Sequence, residues 1–598
     1  MCGIAGILSQ NPLPEAERAA VPAMLAALRH RGPDDAGQFL SPGGQAALAH
    51  ARLSILDLSP AGHQPMVSPD GRLAIVFNGE IYNFQELRAT LQERGVVFRS
   101  NSDTEVVLRA YEAYGAECVA KLRGMFAFAL WDERERSCLL ARDPFGIKPL
   151  YLAESAGRLV FASELRALLA SGLVPRELDP RGLHGYFRTG SVPEPHTLLR
   201  NVRCLEAGHL AVWRAGRLET KSFWTLRFTP ETVAAPNAVA ATRDALLDSV
   251  RHHFISDLPV GVFLSGGIDS TALVGLARTV GRTDLHTYSI AFPGSPGDEG
   301  GLARRTAAHF GTTHHEQQLD AATGKELFGQ FLKVMDQPSI DGLNTFTVSK
   351  FAHEQGMKVV LSGLGGDELF GGYPSFHEVP RLAGLNRRMR WTGPLRLGAR
   401  AMLRRANRPP LRRLGEMLGQ PARLDTAYAA FRGTFTNTEA TALTRHYTGV
   451  EVTDDFSTVE LPADPTPEDS VSRLELTRYM RNQLLRDSDV MSMAHGLELR
   501  VPFLDLPLMN TLTRIPAATR LQAGKRFLLQ AVPEVPDWIA NQPKRGFLFP
   551  FEQWLGTEWH EVFAVLDRTC PVPTQTWYRK WAVFVFERWR ERVDAAQP

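Results

Sequence analysis

The feature that most constrains this chain is a change of texture near Trp224. Before about residue 215, short apolar runs of strand length follow one another: Cys2–Leu8, Leu73–Phe77, Met125–Trp131, Cys138–Arg142, Leu159–Ala162 and Leu210–Trp213. Gly, Pro, Asn and Asp clusters separate them, and two helix-length stretches intervene, near Glu15–Leu28 and Phe84–Glu93. Such runs, bounded by turn residues, predict antiparallel sheet with a few helices. Beyond Trp224, amphipathic segments of helix length (Val239–Ser249, Thr271–Thr279, Ala303–Phe310) alternate with short apolar strands (Val260–Leu264, Thr287–Phe292, Lys358–Leu361). That alternation predicts a parallel sheet covered by helices. Two textures imply two domains, with the boundary inside residues 214–235, where Thr229, Pro230 and Ala234–Pro236 break the periodicity. The expected architecture is an α+β domain over residues 2–215 and an α/β domain over 235–598.

Composition narrows the function classes. The 598 residues are 44% hydrophobic and 22% charged, which excludes a largely disordered chain. Lys plus Arg number 67 against 65 Asp plus Glu, a net charge of +2 that gives no reason to expect a nucleic-acid or membrane-surface partner. Apolar runs such as Met125–Trp131 fall short of the roughly 18–20 residues that span a bilayer. No basic stretch precedes an apolar one at the N-terminus, and the five cysteines (2, 118, 138, 204, 570) form no CxxC pair. A disulfide scaffold and a cysteine zinc cage are thereby excluded, and a cytoplasmic location is expected. Residues 381–413 hold eleven Arg and no Asp or Glu. They are expected to form a helical insertion whose Arg face is solvated or pairs with acidic surface elsewhere. The Pro-rich, acidic stretch Leu461–Asp469 reads as an exposed connector.

Cys2 follows the initiator Met. Methionine removal leaves a free α-amine beside the thiol, with a pKa of about 7.7–8.0 in model compounds, so one residue supplies nucleophile and base. Position alone favours the plainer reading, a small buried residue at a chain start. Polar motifs in the same block favour chemistry: Arg52 in the stretch 50–56, Asn78-Gly79-Glu80 after the run Leu73–Phe77, and Ser102-Asp103 before a helix start at Val106. An Asn amide and a Gly N–H at a strand end can form an oxyanion hole, while a guanidinium and a carboxylate are the groups that hold the α-carboxylate and α-ammonium of an amino acid.

Together, MCGIAG at 1–6, RHRGPDDAG at 29–37, ARLSILD at 51–57, FNGEIYN at 77–83, SNSDTEV at 100–106 and RDPFGIKPLY at 142–151 resemble the class II, N-terminal-nucleophile amidotransferases over essentially the whole first block. The resemblance implies an αββα sandwich of antiparallel sheets that releases ammonia from glutamine. It makes Cys2 the nucleophile and Asn78 and Gly79 the oxyanion donors. Glutamine would be bound by Arg52, Leu53, Ser54, Ile55, Leu56, Asn78, Gly79, Glu80 and Asp103, with Arg52 and Asp103 on its α-groups.

In the second block, Ser265-Gly266-Gly267-Ile268-Asp269-Ser270 follows an apolar strand and opens a helix. The glycines admit a phosphate and the helix N-terminus attracts it. There is no GK[ST], and an acid at such a site makes sense on a magnesium ion. A plain helix cap is the alternative. A second strand–loop–helix runs from Lys358 through Ser362-Gly363-Leu364-Gly365-Gly366 to Asp367-Glu368. Loops at neighbouring strand ends can hold one nucleotide between them and bring Asp269 and Asp367 onto one Mg²⁺. Lys525 begins a later helix and can neutralise a leaving pyrophosphate, although by itself it reads as an ordinary solvated lysine.

SGGIDS, TYSIAFPGSPGDE at 287–299, GTTHHE at 311–316, LSGLGGDELFGGY at 361–373, ELRVPFLD at 498–505, GKRFLLQ at 524–530 and KRGF at 544–547 resemble the asparagine synthetase domain of the PP-loop ATP-pyrophosphatases, over most of residues 235–560. Behind a glutaminase domain, this is the order of the glutamine-hydrolysing asparagine synthetases. The resemblance implies ATP and Mg²⁺ as reactants, aspartate as the acid that is adenylated, an internal ammonia tunnel and a homodimer. Carried over, ATP is contacted by Leu264, Ser265, Gly267, Asp269, Ser270, Ile290, Ser362 and Gly363, pyrophosphate by Lys525, and the metal by Asp269 and Asp367. One position departs: the family's glutamate in the second loop is Leu364 here. A leucine neither accepts a proton nor holds an ammonium ion. Either Glu368 or another carboxylate replaces it, or the acceptor is a different acid, such as a uronic acid of a surface polysaccharide or a secondary-metabolite acid.

Overall fold

The strand-length runs of the first domain pair into two antiparallel sheets. The computed structural model describes residues 2–231, 235–295, 298–452, 464–542, 549–557, 559–564, 566 and 570–595. Its first twelve strands are β1 (Gly3–Ser9), β2 (Asp35–Leu40), β3 (Ala46–Arg52), β4 (Met66–Val67), β5 (Leu73–Ile81), β6 (Gly124–Asp132), β7 (Ser137–Arg142), β8 (Tyr151–Ser155), β9 (Arg158–Ala162), β10 (Val202–Cys204), β11 (His209–Arg214) and β12 (Arg217–Ser222). They are ordered β10-β8-β9-β1-β3-β2 in one sheet and β12-β11-β7-β6-β5-β4 in the other. Because side chains alternate across a strand, each sheet has two faces to bury. Ile4, Leu8 and Leu48 meet Val76, Ala129 and Leu140 between the sheets. The outer face of the first sheet (Ile7, Ala49) lies under helices Ala20–Ala27 and Leu165–Ala170, and that of the second (Ile75, Leu130) under Phe84–Glu93 and Asp103–Tyr114. This is the expected αββα sandwich.

Two local readings change. Glu15–Leu28 divides into helices Glu15–Arg18 and Ala20–Ala27, because Pro22 has no N–H for the carbonyl of Arg18. β5 does not stop at Phe77; it continues to Ile81, with Asn78, Gly79 and Glu80 opposite Ala127, Phe126 and Met125 of β6. The oxyanion candidates therefore lie inside a ladder rather than at a strand end, where the sheet fixes their direction.

The second domain carries β13 (Val260–Phe263), β14 (His286–Ala291), β15 (Thr313–Gln318), β16 (Val359–Leu361) and β17 (Glu498–Arg500), all parallel, in the order β15-β14-β13-β16-β17. The winding reverses between β13 and β16, so their carboxyl ends flank a crevice at a topological switch point. The rest of the domain is helical. The Arg-rich stretch forms helices Ser375–Met389, Pro394–Arg404 and Pro409–Met417. Arg412 pairs with Glu439 at 3.0 Å, Arg396 donates to the Leu418 carbonyl and Arg413 to that of Ala430, while Arg387, Arg388 and Arg405 stay exposed. The acidic connector reading fails at its end. Leu461–Ala463 lie outside the described residues, but Thr466 caps the helix Pro467–Leu474 and Asp469 is buried against Arg520 at 2.8 Å. Thr-Pro-Glu-Asp is a helix start, with a hydroxyl cap and Pro at the first helical position. The segment KRGF at 544–547 also lies outside the described residues.

The domains share a core in which Leu53, Ile55, Met125, Phe145 and Ile147 join Val262, Leu264, Leu361 and Leu499. Charged pairs cross the same boundary: Arg31–Asp489 at 2.8 Å, Lys148–Asp489 at 3.2 Å and Arg123–Asp248 at 2.7 Å.

Candidate active sites

Cys2 leads into β1, an inner strand, and is buried. Its backbone N–H donates to Asn78 Oδ1 at 3.0 Å, and its Sγ lies 4.0 Å from the Leu53 carbonyl. With Asn78 Oδ1 so occupied, its Nδ2 is buried with no hydrogen-bond partner among the described residues. An orphaned buried donor beside a thiol is costly unless something accepts from it. Gly79 has no space for a side chain, since a Cβ would run into the Met125 carbonyl. Burial pushes the Cys2 thiol up, and the chain's N-terminal charge and Arg52 pull it back down. Arg31 donates from Nε to the Cys2 carbonyl at 3.0 Å and is itself clamped by Glu164 and Asp489, both at 2.8 Å.

Arg52, at the end of β3, wraps the following loop by donating to the carbonyls of Leu56, Asp57 and Ser59. That loop carries Leu53, Ser54, Ile55 and Leu56, and the Ser54 N–H is held by Asp34 Oδ2 at 2.8 Å. Asp103 opens the helix Asp103–Tyr114 and accepts from the Ile81 N–H at 3.0 Å. Burial pushes its carboxyl up to about 6. Glu80 lies two residues along β5 from Asn78 and feels the charge of Asp103. It lies 3.5 Å from Arg500 in the domain boundary, and burial with the Glu498 charge raises it well above the usual carboxylate range.

At the switch point, Gly267 caps the helix Ile268–Thr279, its N–H donating to Ser265 Oγ at 3.2 Å, while Ser265 Oγ and Ser270 Oγ lie 3.0 Å apart. Gly266 N–H reaches Glu299 at 3.3 Å. The loop after β16 packs directly on this one: a Cβ on Gly363 would come within 3.0 Å of the Ser270 nitrogen, and one on Gly366 would strike the Asp269 carboxylate. Ser362 is fixed by its N–H to the Arg500 carbonyl, and Leu264 and Ile290 are buried on the adjoining strands. Lys525 closes the group, with Nζ 2.6 Å from Asp269 Oδ2 and 2.5 Å from Asp367 Oδ1. It does so from a left-handed backbone (φ 56°, ψ 31°), a conformation that costs a non-glycine residue about 1–3 kcal/mol and gathers at working sites. Burial alone would lower the Lys525 ammonium; the two carboxylates hold it above its ordinary value. Asp269 and Asp367, paired on one ion in the sequence reading, and Lys525, named apart from them, are thus one cluster. Two carboxylates on touching loops fit magnesium, which takes one or two protein carboxylates and completes its shell with water and substrate phosphate.

Leu364 is half-buried and packs on the domain core. Glu368 is 1% exposed and accepts from Tyr373 Oη at 2.9 Å; burial, then the Asp367 and Glu475 charges, push it up to about 8. Sequence reasoning missed the clamp of Arg31, Glu164 and Asp489. Arg31 lies within RHRGPDDAG, but its partners are 133 and 458 positions away and no spacing announces them. It also missed that residues Glu475–Leu485 form an eleven-residue π-helix inside an otherwise α-helical run from Pro467 to Met493.

Residues 1–224 match the model of the glutamine amidotransferase domain and residues 241–583 that of asparagine synthase. The asparagine synthetase [glutamine-hydrolyzing] 1 of Bacillus subtilis is 32% identical, over 98% of this chain and 96% of its own length. A putative asparagine synthetase [glutamine-hydrolyzing] of Mycobacterium bovis is 35% identical over 88% of this chain and 83% of its own. The amidase chry2 of Gibberella zeae is 29% identical over 95% and 91%. With a glutamine amidotransferase domain joined to a PP-loop synthetase domain across its whole length, this chain belongs to the asparagine synthase family, the ATP-dependent amide ligases that take nitrogen from glutamine.

Proposed function

We propose that Cys2, freed of Met1, attacks the side-chain amide of glutamine while its α-amine takes the thiol proton. Asn78 Nδ2 and the Gly79 N–H receive the developing oxyanion, and water then releases glutamate, with ammonia as the other product. Arg52 and Asp103 hold the α-carboxylate and α-ammonium. In the second domain the acceptor's carboxylate attacks ATP, forming an acyl-adenylate and expelling pyrophosphate. Ammonia displaces AMP from the acyl carbon and leaves the amide. Leu264, Ile290, Ser362 and Gly363 border the nucleotide, while Ser265, Gly267 and Ser270 face the phosphates. Asp269 and Asp367 would hold Mg²⁺, which neutralises charge on the leaving pyrophosphate, and Lys525 does the same directly. The reading places the enzyme in the cytoplasm, with glutamine, ATP and the acceptor acid as its reactants and a homodimer as its assembly.

The observation that carries this is the convergence of Asp269, Asp367 and Lys525 from three distant segments at the switch point. The names of the synthetase relatives give asparagine as their product, which makes aspartate the first acceptor to consider. Leu364 favours a second reading, in which the same chemistry amidates another carboxylic acid. Cys2→Ala tests the division of labour: glutamine hydrolysis is lost, while amide formation from added ammonium persists. Residual glutaminase activity, or loss of both reactions in a folded variant, refutes it.

A further inference from the structure

A cavity of about 260 Å³ lies between the two domains. The glutaminase domain supplies Arg188 from the helix Pro180–Thr189. The π-helix supplies Arg478, Tyr479, Asn482 and Gln483, and the helix Leu424–Arg432 supplies Tyr428 and Arg432. A π-helix makes a wider turn than an α-helix and is found mostly at functional positions. Here the pairs Arg478/Asn482 and Tyr479/Gln483, each four residues apart, lie on its cavity side.

The charges are unbalanced. Arg432 is neutralised by Glu475 at 2.9 Å, and Arg188 by Glu416 at 3.3 Å. Arg478 makes no hydrogen bond or ion pair among the described residues, and burial holds its guanidinium below its ordinary value. Asp341, the carboxyl on this lining, is raised by burial and bonded to Gln483 and to the Gly342 N–H, so it does not answer that charge. The carboxylate whose charge does reach Arg478, Asp425, is itself held by Arg423 at 2.6 Å. A desolvated guanidinium without an anion paired to it is expensive to keep unless a ligand supplies one. The walls around it are flat and largely apolar: Tyr428, Tyr479, Trp577, Phe551 and Ile340. A chain of contacts links the cavity wall to the reacting loop: Tyr479 packs edge-on against Tyr373 at 5.9 Å, and Tyr373 bonds Glu368, the neighbour of Asp367.

Resting on the proposed ATP-dependent amidation, we propose that this cavity is the acceptor pocket, and that it takes a carboxylic acid larger than aspartate that carries a second anionic group on a flat body, either a sugar ring or an aromatic ring. Arg478 anchors the second anion, and the aromatic walls hold the ring. Leu364 then needs no charge, because the acceptor is recognised at its far end rather than beside the acyl carbon.

The test is ATP–pyrophosphate exchange by the full-length enzyme with aspartate, phenylsuccinate, glucuronic acid, or glucuronic acid 1-phosphate as acceptor, together with calorimetric binding of the same four acids to wild type and to Arg478→Leu. Phenylsuccinate and the sugar phosphate separate the two ring chemistries, and glucuronic acid removes the second anion. At least one two-anion ring acid is expected to exceed aspartate about tenfold in kcat/KM. Arg478→Leu should weaken its binding at least about tenfold, leave glutamine hydrolysis unchanged, and raise rather than lower the Tm, because the substitution removes an uncompensated charge. A merely structural arginine would lower the Tm and leave the choice of acid alone. Preference for aspartate, or binding of the ring acids that is absent or indifferent to Arg478, overturns the inference. Binding that depends on Arg478 without any exchange sustains the pocket and overturns the adenylation reading instead.

Discussion

Lys525→Met perturbs the catalytic cluster at its centre. The ammonium lies within 2.7 Å of both Asp269 oxygens and 2.5 Å from Asp367, so its removal leaves two carboxylates facing each other. Breaking a buried ion pair from one side costs about 3–5 kcal/mol. The two aspartates keep 18% and 20% side-chain exposure, which places the cost near the lower end, about 3 kcal/mol. At about 2 °C per kcal/mol for a large domain, the synthetase domain should melt roughly 6 °C lower. Because the fold raises the Lys525 pKa, this contribution is complete below the unfolded value of about 10.4 and is lost only as pH rises through the higher folded value. The Tm difference should therefore be the same at pH 6 and pH 8. Millimolar magnesium should restore part of it, more in the variant than in wild type, since the freed carboxylates become ligands. The same loss at the leaving group predicts about a hundredfold slower pyrophosphate exchange. Differential scanning fluorimetry with and without magnesium, paired with exchange kinetics, measures all three. An unchanged Tm with wild-type exchange would show that the cluster is neither an ion-pair centre nor the pyrophosphate site.

Two further outcomes follow from buried carboxyls. Glu368, raised from 4.5 to about 8, is held protonated by the fold, so its contribution is greatest below pH 4.5 and is lost as pH rises to 8. Glu368→Gln stays neutral, and the Tm of the variant relative to wild type should climb across that window and level off above it; parallel curves would contradict the burial argument. Asp103, raised to about 6, must be ionised to hold an ammonium group. The KM for glutamine should rise as pH falls below 6 while ammonium-driven amide formation keeps its own profile, and a glutamine KM that is flat from pH 5 to 8 would remove Asp103 from the site.

Much of this molecule was legible along the chain. The strand runs, the texture change near Trp224 and the loops SGGIDS and SGLGGDE are local patterns, fixed by side-chain periodicity and by where glycine is required. They sufficed for antiparallel sheet with a few helices ahead of a parallel, helix-covered sheet; the αββα sandwich came from the family resemblance that the motifs carry. Where the patterns misled, a neighbour in space decided the matter: β6 drew Asn78 and Gly79 into a ladder, and Arg520 buried the Asp469 that composition alone assigned to an exposed connector. Tertiary structure alone placed Lys525 between Asp269 and Asp367, clamped Arg31 with Glu164 and Asp489, raised Glu368 and Asp103, and set Arg478 on a cavity wall with no ion pair among the described residues. The physical reason is that motifs record what a residue does for its own turn of chain. Charge state and pairing depend on desolvation and on groups hundreds of positions away, and these exist only once the domains have packed.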